Sequence, residues 1–259
     1  MTAVPYFTVE AERPNGRGRA GVIHTPHGQI RTPAFVAVGT KATVKAVLPE
    51  TMAALGAQAV LANAYHLYLQ PGPDIVADAG GLGAFMNWPG PTFTDSGGFQ
   101  VMSLGVGFRK VLMEDPTRDQ ADHLVAPGKQ KLSHVDDDGV TFISHLDGST
   151  HRFTPEVSIG IQHQLGADII FAFDELTTLV NTRAYQEESV ARTQAWAQRC
   201  LAEHRRLGAL RSPSRPEQAL FGVVQGANYE DLRRQACRGL ESIVDDAGRY
   251  PSELPYPVQ

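Results

Sequence analysis

Cysteine is scarce in this sequence. Cys200 and Cys237 are the only two among 259 residues, and no CxxC pair exists. That excludes a disulfide framework and a ribbon of paired thiolates around a metal. Long apolar runs are missing too. The longest, such as Ala167 to Phe173, have the length of a strand and fall far short of a membrane span. The first residues, Met1 to Arg13, carry no apolar core of a signal peptide, so the expected compartment is the cytoplasm. There is no excess of basic charge, the formal net charge being −5. This argues against a broad cationic coat for nucleic acid and leaves room for RNA on a local patch. No repeat of fixed period and no low-complexity stretch is present. What remains is an ordinary globular composition, 42% hydrophobic and 20% charged, which argues against disorder. The length alone would suit one (β/α)8 barrel of about 250 residues.

The pattern along the chain predicts an α/β protein. An N-terminal β-hairpin is expected from Tyr6 to Glu10 and Arg19 to His24, around the glycine-rich turn Asn15 to Gly18. Five short apolar strands follow: Pro33 to Val38, Ala59 to Ala64, Thr92 to Asp95, Asp168 to Phe173 and Ala219 to Val224. Helices alternate with them. Pro49 to Leu55 stops at Gly56, and Asp74 to Ala79 stops at Gly80. Pro155 to Leu165 follows Thr154 as a candidate N-cap. A long helix, about Ala184 to Leu207, carries Val190, Thr193, Ala197, Leu201 and His204 on one stripe and an i,i+4 pair of Glu188 with Arg192. Gly208 is its expected stop. Asn228 is the candidate cap of a last helix, Tyr229 to Val244. Gly105 to Lys131 is polar and without period, and reads as an insertion. Val140 to His145 and His151 to Thr154 read as a second hairpin. Residues 245–259 hold three prolines and read as a coil tail.

Strands alternating with helices pair in parallel, as a doubly wound sheet or a barrel. In both, ligand groups gather at the C-terminal ends of the strands. Asp95, Asp174 and Gln225 stand there, each closing an apolar run. A carboxylate accepts two parallel N–H bonds, such as those of the N1–H and 2-amino group of a guanine. A Gln amide can donate to a ring carbonyl, and Phe99, beyond the Gly97-Gly98 turn, can stack on a flat base. The same carboxylates would also suit glycosidic cleavage in a sugar hydrolase. A polar strand-end residue also serves as a plain cap, and Asp174 taken alone is evenly balanced between cap and ligand.

The run Thr94-Asp95-Ser96-Gly97-Gly98-Phe99-Gln100-Val101 resembles the signature of the tRNA-guanine transglycosylases, also called queuine tRNA-ribosyltransferases. Further segments match in the same order: Thr32 to Phe35, Ala62 to Leu67, Ser144 to Ser149, Phe171 to Glu175 and Gly222 to Gly226. The likeness covers about Tyr6 to Val244, and Phe173-Asp174-Glu175 is similar to the bacterial branch. The resemblance implies a TIM-type barrel. Its enzymes exchange guanine in a tRNA anticodon for a 7-deazaguanine, a queuosine precursor, through a covalent ribosyl-enzyme. It implies Asp95 as an acid/base carboxylate that also contacts the base. It implies Ser96, Gly97, Gly98 and Phe99 as the loop that cradles the base. Asp174 would read the guanine N1–H and amino edge, and Gln225 would donate to the ring carbonyl.

The same resemblance sets expectations of absence. No segment matches the family's nucleophilic aspartate, and its zinc set of three Cys and one His has no counterpart. Cys200 and Cys237 read as small packed side chains. No metal and no cofactor are therefore expected. Only about five βα units fit, so residues 1–244 are expected to form an incomplete barrel, unable to exchange bases alone. The alternative is a non-catalytic base-binding or partner subunit, in a homo- or heterodimer with a homologue. Arg199, Arg205, Arg206, Arg211 and Arg215 form a basic stretch. It reads as a solvated helix end ahead of an RNA contact.

Overall fold

A computed structural model describes residues 6–101, 133–179 and 181–245. The expected insertion and all of the tail beyond Asp245 lie outside the described residues. Two compact units emerge. The first takes the chain up to Gly97, Val157–Phe171 and Glu203–Phe221, and the second takes Gly98–Glu156, Ala172–Ala202 and Gly222 onward.

The first unit opens on β1 (Phe7–Glu12), β2 (Arg19–Thr25) and β3 (Gly28–Thr32). The expected hairpin is thus a three-stranded antiparallel meander. The sequence offered only the tight turn His27-Gly28 as a sign of the third strand, and Gly28 takes φ +136° there. Then come β4 (Ala37–Val38), α1 (Pro49–Ala54), β5 (Val60–Ala62) and β6 (Thr92–Thr94). Pro49 opens α1, and the Gly56 N–H closes its last turn on the Ala53 carbonyl at 3.0 Å. Three short helices sit between β5 and β6: α2 (Ala64–Leu69), α3 (Pro73–Asp78) and α4 (Leu82–Phe85). Only α3 was expected, from its stop at Gly80. Helix α2 is equally six residues long, but its first residue, Ala64, closes the apolar run of the preceding strand, and α4 is a single turn.

Strands β10 (Ile169–Phe171) and β11 (Ala219–Phe221) complete a parallel five-stranded sheet in the order β11-β10-β6-β5-β4. All five expected strands are present, each shorter than its apolar run. The order follows the chain with no reversal, whereas a doubly wound sheet has a switch point. The described strands form an open sheet. Its core holds Ile30, Ala59, Phe93 and Ile169, with Tyr6, Leu61, Phe171 and Phe221 packed around them.

Two buried polar side chains fix this sheet. Asp168 accepts from the Thr92 N–H at 2.8 Å and from His27 Nδ1 at 2.7 Å. Helix α5 (Pro155–Leu165) brings in Gln162. Its Oε1 accepts from the Phe171 N–H at 2.9 Å and the Thr94 hydroxyl at 3.1 Å. Its Nε2 donates to the Phe171 carbonyl at 2.8 Å. The amide thus replaces a strand neighbour for β10 and leaves no buried backbone group of Phe171 unmatched.

The second unit contains the antiparallel sheet β7 (Ser133–Asp136), β8 (Gly139–Ile143) and β9 (Thr150–Phe153). The expected second hairpin therefore gains a strand. Aromatic rings fill its interior. Phe173 stacks on Trp196 with centroids 5.0 Å apart, and Phe153 lies 6.2 Å from Phe173. The long helix α6 (Arg183–Leu210) runs through Gly208, which does not stop it. Of its expected stripe, Val190, Thr193 and Ala197 are buried. Arg192 does not pair with Glu188 but holds Glu175 and Asp137. The last helix, α7 (Glu230–Asp245), begins two residues after Asn228. Tyr229 takes the cap position instead, its carbonyl accepting from the Arg233 N–H at 3.0 Å. Asp245, assigned to the coil tail by sequence, closes this helix.

Candidate functional site

Three polar segments follow the carboxyl ends of β6, β10 and β11, which are neighbours in the parallel sheet. In the first unit, Asp95 comes directly after β6. Its Oδ1 accepts the Ala64 N–H at 2.8 Å, and its Oδ2 accepts the Asn63 side-chain amide. Asn63 holds the N-cap position of α2 yet makes no cap bond of its own. Asp95 thus satisfies a free N–H of α2 from the next strand, as a capping side chain would. Both carboxylate oxygens are thereby aimed by two donors. Ser96 is buried, and its carbonyl accepts the Ser158 hydroxyl at 2.7 Å. Gly97 follows with φ +81°.

The second unit holds the rest. Gly98 and Phe99 lie in a helical turn over 98–101, and the Phe99 ring is 49% exposed. Half-buried Asp174 accepts a hydrogen bond from Gln225 Nε2 at 2.6 Å. A carboxylate and an amide thus stand edge to edge. Gly226 fixes the Gln225 end. It takes φ +111°, and a Cβ there would stand 2.8 Å from the Arg233 nitrogen and 2.9 Å from the Leu232 carbonyl carbon. Only glycine allows that backbone and that approach to α7.

Sequence reasoning passed over two partners of these residues. Asn63, which orients Asp95, lies in the quoted run Ala62 to Leu67, where its amide was the available signal. Glu175, next to Asp174, is fully buried and ion-paired to Arg192. Its signal was a carboxylate at the end of an apolar run, but its partner lies 17 residues further on.

A cavity of about 1210 Å³ in the first unit is lined by Trp88, His163, Arg206 and Arg215 among others, and by none of the candidate residues. The basic stretch is largely engaged within the protein. Arg199 holds Glu156, Arg206 holds Glu203, Arg211 holds Glu217, and Arg215 donates to the Ala77 carbonyl. Among the described residues, no three His, Cys, Asp or Glu side chains come together in a way that could hold a metal ion. Two cysteines are also too few for a three-cysteine zinc set. Burial pushes the Cys200 thiol up to about 12, against the bond it accepts from the Phe173 N–H. Cys200 is a buried thiol packed between α6 and the Phe173 backbone. No described helix is long and apolar enough to cross a membrane.

Parallel strands followed by acid and amide side chains beyond their carboxyl ends define an α/β protein with the arrangement in which such folds place ligand groups. Comparison with known proteins narrows the class. A family model described as Queuine tRNA-ribosyltransferase matches residues 15–250, and the chain belongs to that family. It is 48% identical over 231 residues to the queuine tRNA-ribosyltransferase of Herpetosiphon aurantiacus, covering 89% of this chain and 50% of that protein. The same-named protein of Gloeobacter violaceus is 47% identical, with 93% and 54% covered. That of a Roseiflexus species is 46% identical, with 93% and 59% covered. The chain spans about half the length of these relatives.

Proposed function

We propose that this chain is the base-reading part of a cytoplasmic tRNA-guanine transglycosylase, built on part of a TIM-type barrel. The observation that carries the reading is the 2.6 Å contact of Asp174 with Gln225. The pairing edge of guanine presents donor, donor, acceptor: the 2-amino group, N1–H and O6. A carboxylate beside an amide N–H offers the complement, two acceptor oxygens and one donor. Asp174 takes the N1–H and 2-amino hydrogens. Gln225 Nε2 turns from Asp174 to the O6 carbonyl. Phe99 supplies a stacking face, and the backbone from Ser96 to Phe99 cradles the ring.

In the exchange, a nucleophilic carboxylate forms a bond to C1′ of the ribose as the bond to guanine N9 breaks. The guanine leaves with the electron pair and takes up a proton. The incoming 7-deazaguanine reverses these events. Asp95 gives and recovers the proton, held in line by Asn63 and the Ala64 N–H. None of the motifs carried here supplies the nucleophile. No step is assigned to zinc, for which the residues present do not fit.

Calorimetric titration with guanine tests the reading. Asp174→Ala is expected to weaken binding by roughly tenfold to a hundredfold, the effect of losing hydrogen bonds to a charged acceptor. Equal heats from the two proteins would overturn it.

A further inference from the structure

The stretch that carries Asp174 has no secondary structure of its own. Strand β10 ends at Phe171, and residues 172–178 are neither helix nor strand. Helix α6 holds this stretch instead. The Cys200 sulfur accepts the Phe173 N–H at 3.2 Å. Thr193 Oγ1 accepts the Glu175 N–H at 3.1 Å, and the Ser189 hydroxyl donates to the Glu175 carbonyl at 3.1 Å. The Glu175 carboxylate takes the Tyr185 hydroxyl at 2.6 Å on Oε1 and the Arg192 guanidinium on Oε2. One turn away, Gln186 accepts the Thr177 hydroxyl at 2.7 Å and donates to the Thr178 carbonyl at 2.8 Å.

Positions 185, 186, 189, 192 and 193 recur every three to four residues and so share one side of the helix. Gln186, Ser189 and Thr193 among them are buried. The bonds to backbone groups serve stability, since an apolar stripe would leave those groups buried and unpaired. But the Glu175 carboxylate with Tyr185 and Arg192 satisfies only side chains, and apolar groups of similar volume could fill that place. Apolar contacts, however, tolerate small slides. Hydrogen bonds to backbone N–H and carbonyl groups do not, because each fixes a direction.

We infer that the polar stripe of α6, centred on Tyr185, Arg192 and the Glu175 carboxylate they bind, is a positioning device that sets the Asp174 carboxylate against Gln225 for reading the base. It rests on the proposed role of Asp174 and adds residues that touch neither base nor ribose. The stripe anchors Phe173, Glu175, Thr177 and Thr178, and Asp174 between them meets Gln225.

The test uses the whole chain and the variants Tyr185→Phe, which removes one hydroxyl, and Glu175→Gln, which removes the charge. Arg199→Ala is the control. It breaks an ion pair on the same helix that does not touch this stretch. Two quantities are read: the NMR resonances of the Gln225 side-chain amide in the free protein, and guanine affinity by calorimetry. Tyr185→Phe and Glu175→Gln are expected to move the Gln225 resonances and weaken guanine binding by about tenfold or more, as small misplacements do. Arg199→Ala should leave both unchanged at a similar loss of melting temperature. Unmoved Gln225 resonances and wild-type affinity in both stripe variants would overturn the positioning role. A wild-type chain that binds no guanine would instead overturn the base-reading function, and the free-protein resonances would still decide the positioning role.

Discussion

Two single residues, Asp168 and Gly226, each hold a part of the fold. The Asp168 carboxylate is fully buried and accepts the Thr92 N–H and His27 Nδ1. Asp168→Ala would leave that N–H buried without a partner, which costs about 2–3 kcal/mol. Denaturant unfolding should read a loss of that order, and a loss under about 0.5 kcal/mol would contradict the account. Gly226 works through backbone shape. Gly226→Ala puts a Cβ where 2.8 Å is available and holds an L-residue at φ +111°. A cost of about 1–3 kcal/mol is expected, with weaker guanine binding because Gln225 is the preceding residue. Wild-type stability together with wild-type affinity would show that α7 yields more easily than argued. The sequence displayed both residues. Asp168 read only as the first residue of a strand, because His27 and Thr92 are distant in the chain and their convergence has no local sign. Gly226 read as part of a motif, because a positive φ is a property of the folded backbone.

Helices α5 and α6 meet through a pair of histidines in the first unit. His163 Nε2 lies 2.9 Å from His204 Nδ1. Burial, then His204 and Arg211, holds His163 down to about 4, and burial followed by Arg211 and Arg205 lowers His204 as well. Between an ordinary 6.5 and about 4, the unfolded chain binds a proton that folded His163 refuses. Stability from this group is therefore complete above pH 6.5 and declines as pH falls through that window. Glu156, lowered to about 2 chiefly by its bond with Arg199, declines only below its ordinary 4.5. Melting temperatures at pH 7 and pH 5 should differ more in the wild type than in His163→Asn, and equal differences would refute the coupling. Of the elements, those with an apolar run or with Pro and Gly punctuation were legible. The five strands, α1, α3, α5, α6 and α7 all follow from apolar period and from Pro and Gly punctuation. Helices α2 and α4 were not, because α2 continues directly from the apolar run of β5 and the single turn of α4 gives no period. Strands β3 and β7 were also missed, since each is defined by its partner's backbone and not by its own side chains. The pairing of Arg192 with Glu175 instead of Glu188 has the same cause. Spacing on a helix proposes i,i+4 partners, and a buried carboxylate from another segment outcompetes an exposed one.

The molecule as a whole joins a sheet order that follows the chain to membership of the queuine tRNA-ribosyltransferase family. Its motif content leads to a clear expectation for the isolated chain. On the proposed reading, in which no quoted motif is assigned the nucleophile, it should bind guanine and leave tRNA unlabelled when offered labelled guanine. Incorporation of label would show that a carboxylate outside the quoted motifs does that work. The strand order also bears on how the protein is made. Strands β5 and β6 each find a partner in the chain already synthesised, β5 on β4 and β6 on β5, so the sheet can extend as the polypeptide emerges. Strand β10 is different. It must reach β6 across the whole span between Phe93 and Ile169, the residues in register there. Closing so long a loop carries an entropic cost, repaid only once Asp168 and Gln162 engage. Pulse-labelled hydrogen exchange should accordingly find β4 to β6 protected first and β10 with β11 later. The slow step of folding would lie at the seam that those two side chains stitch.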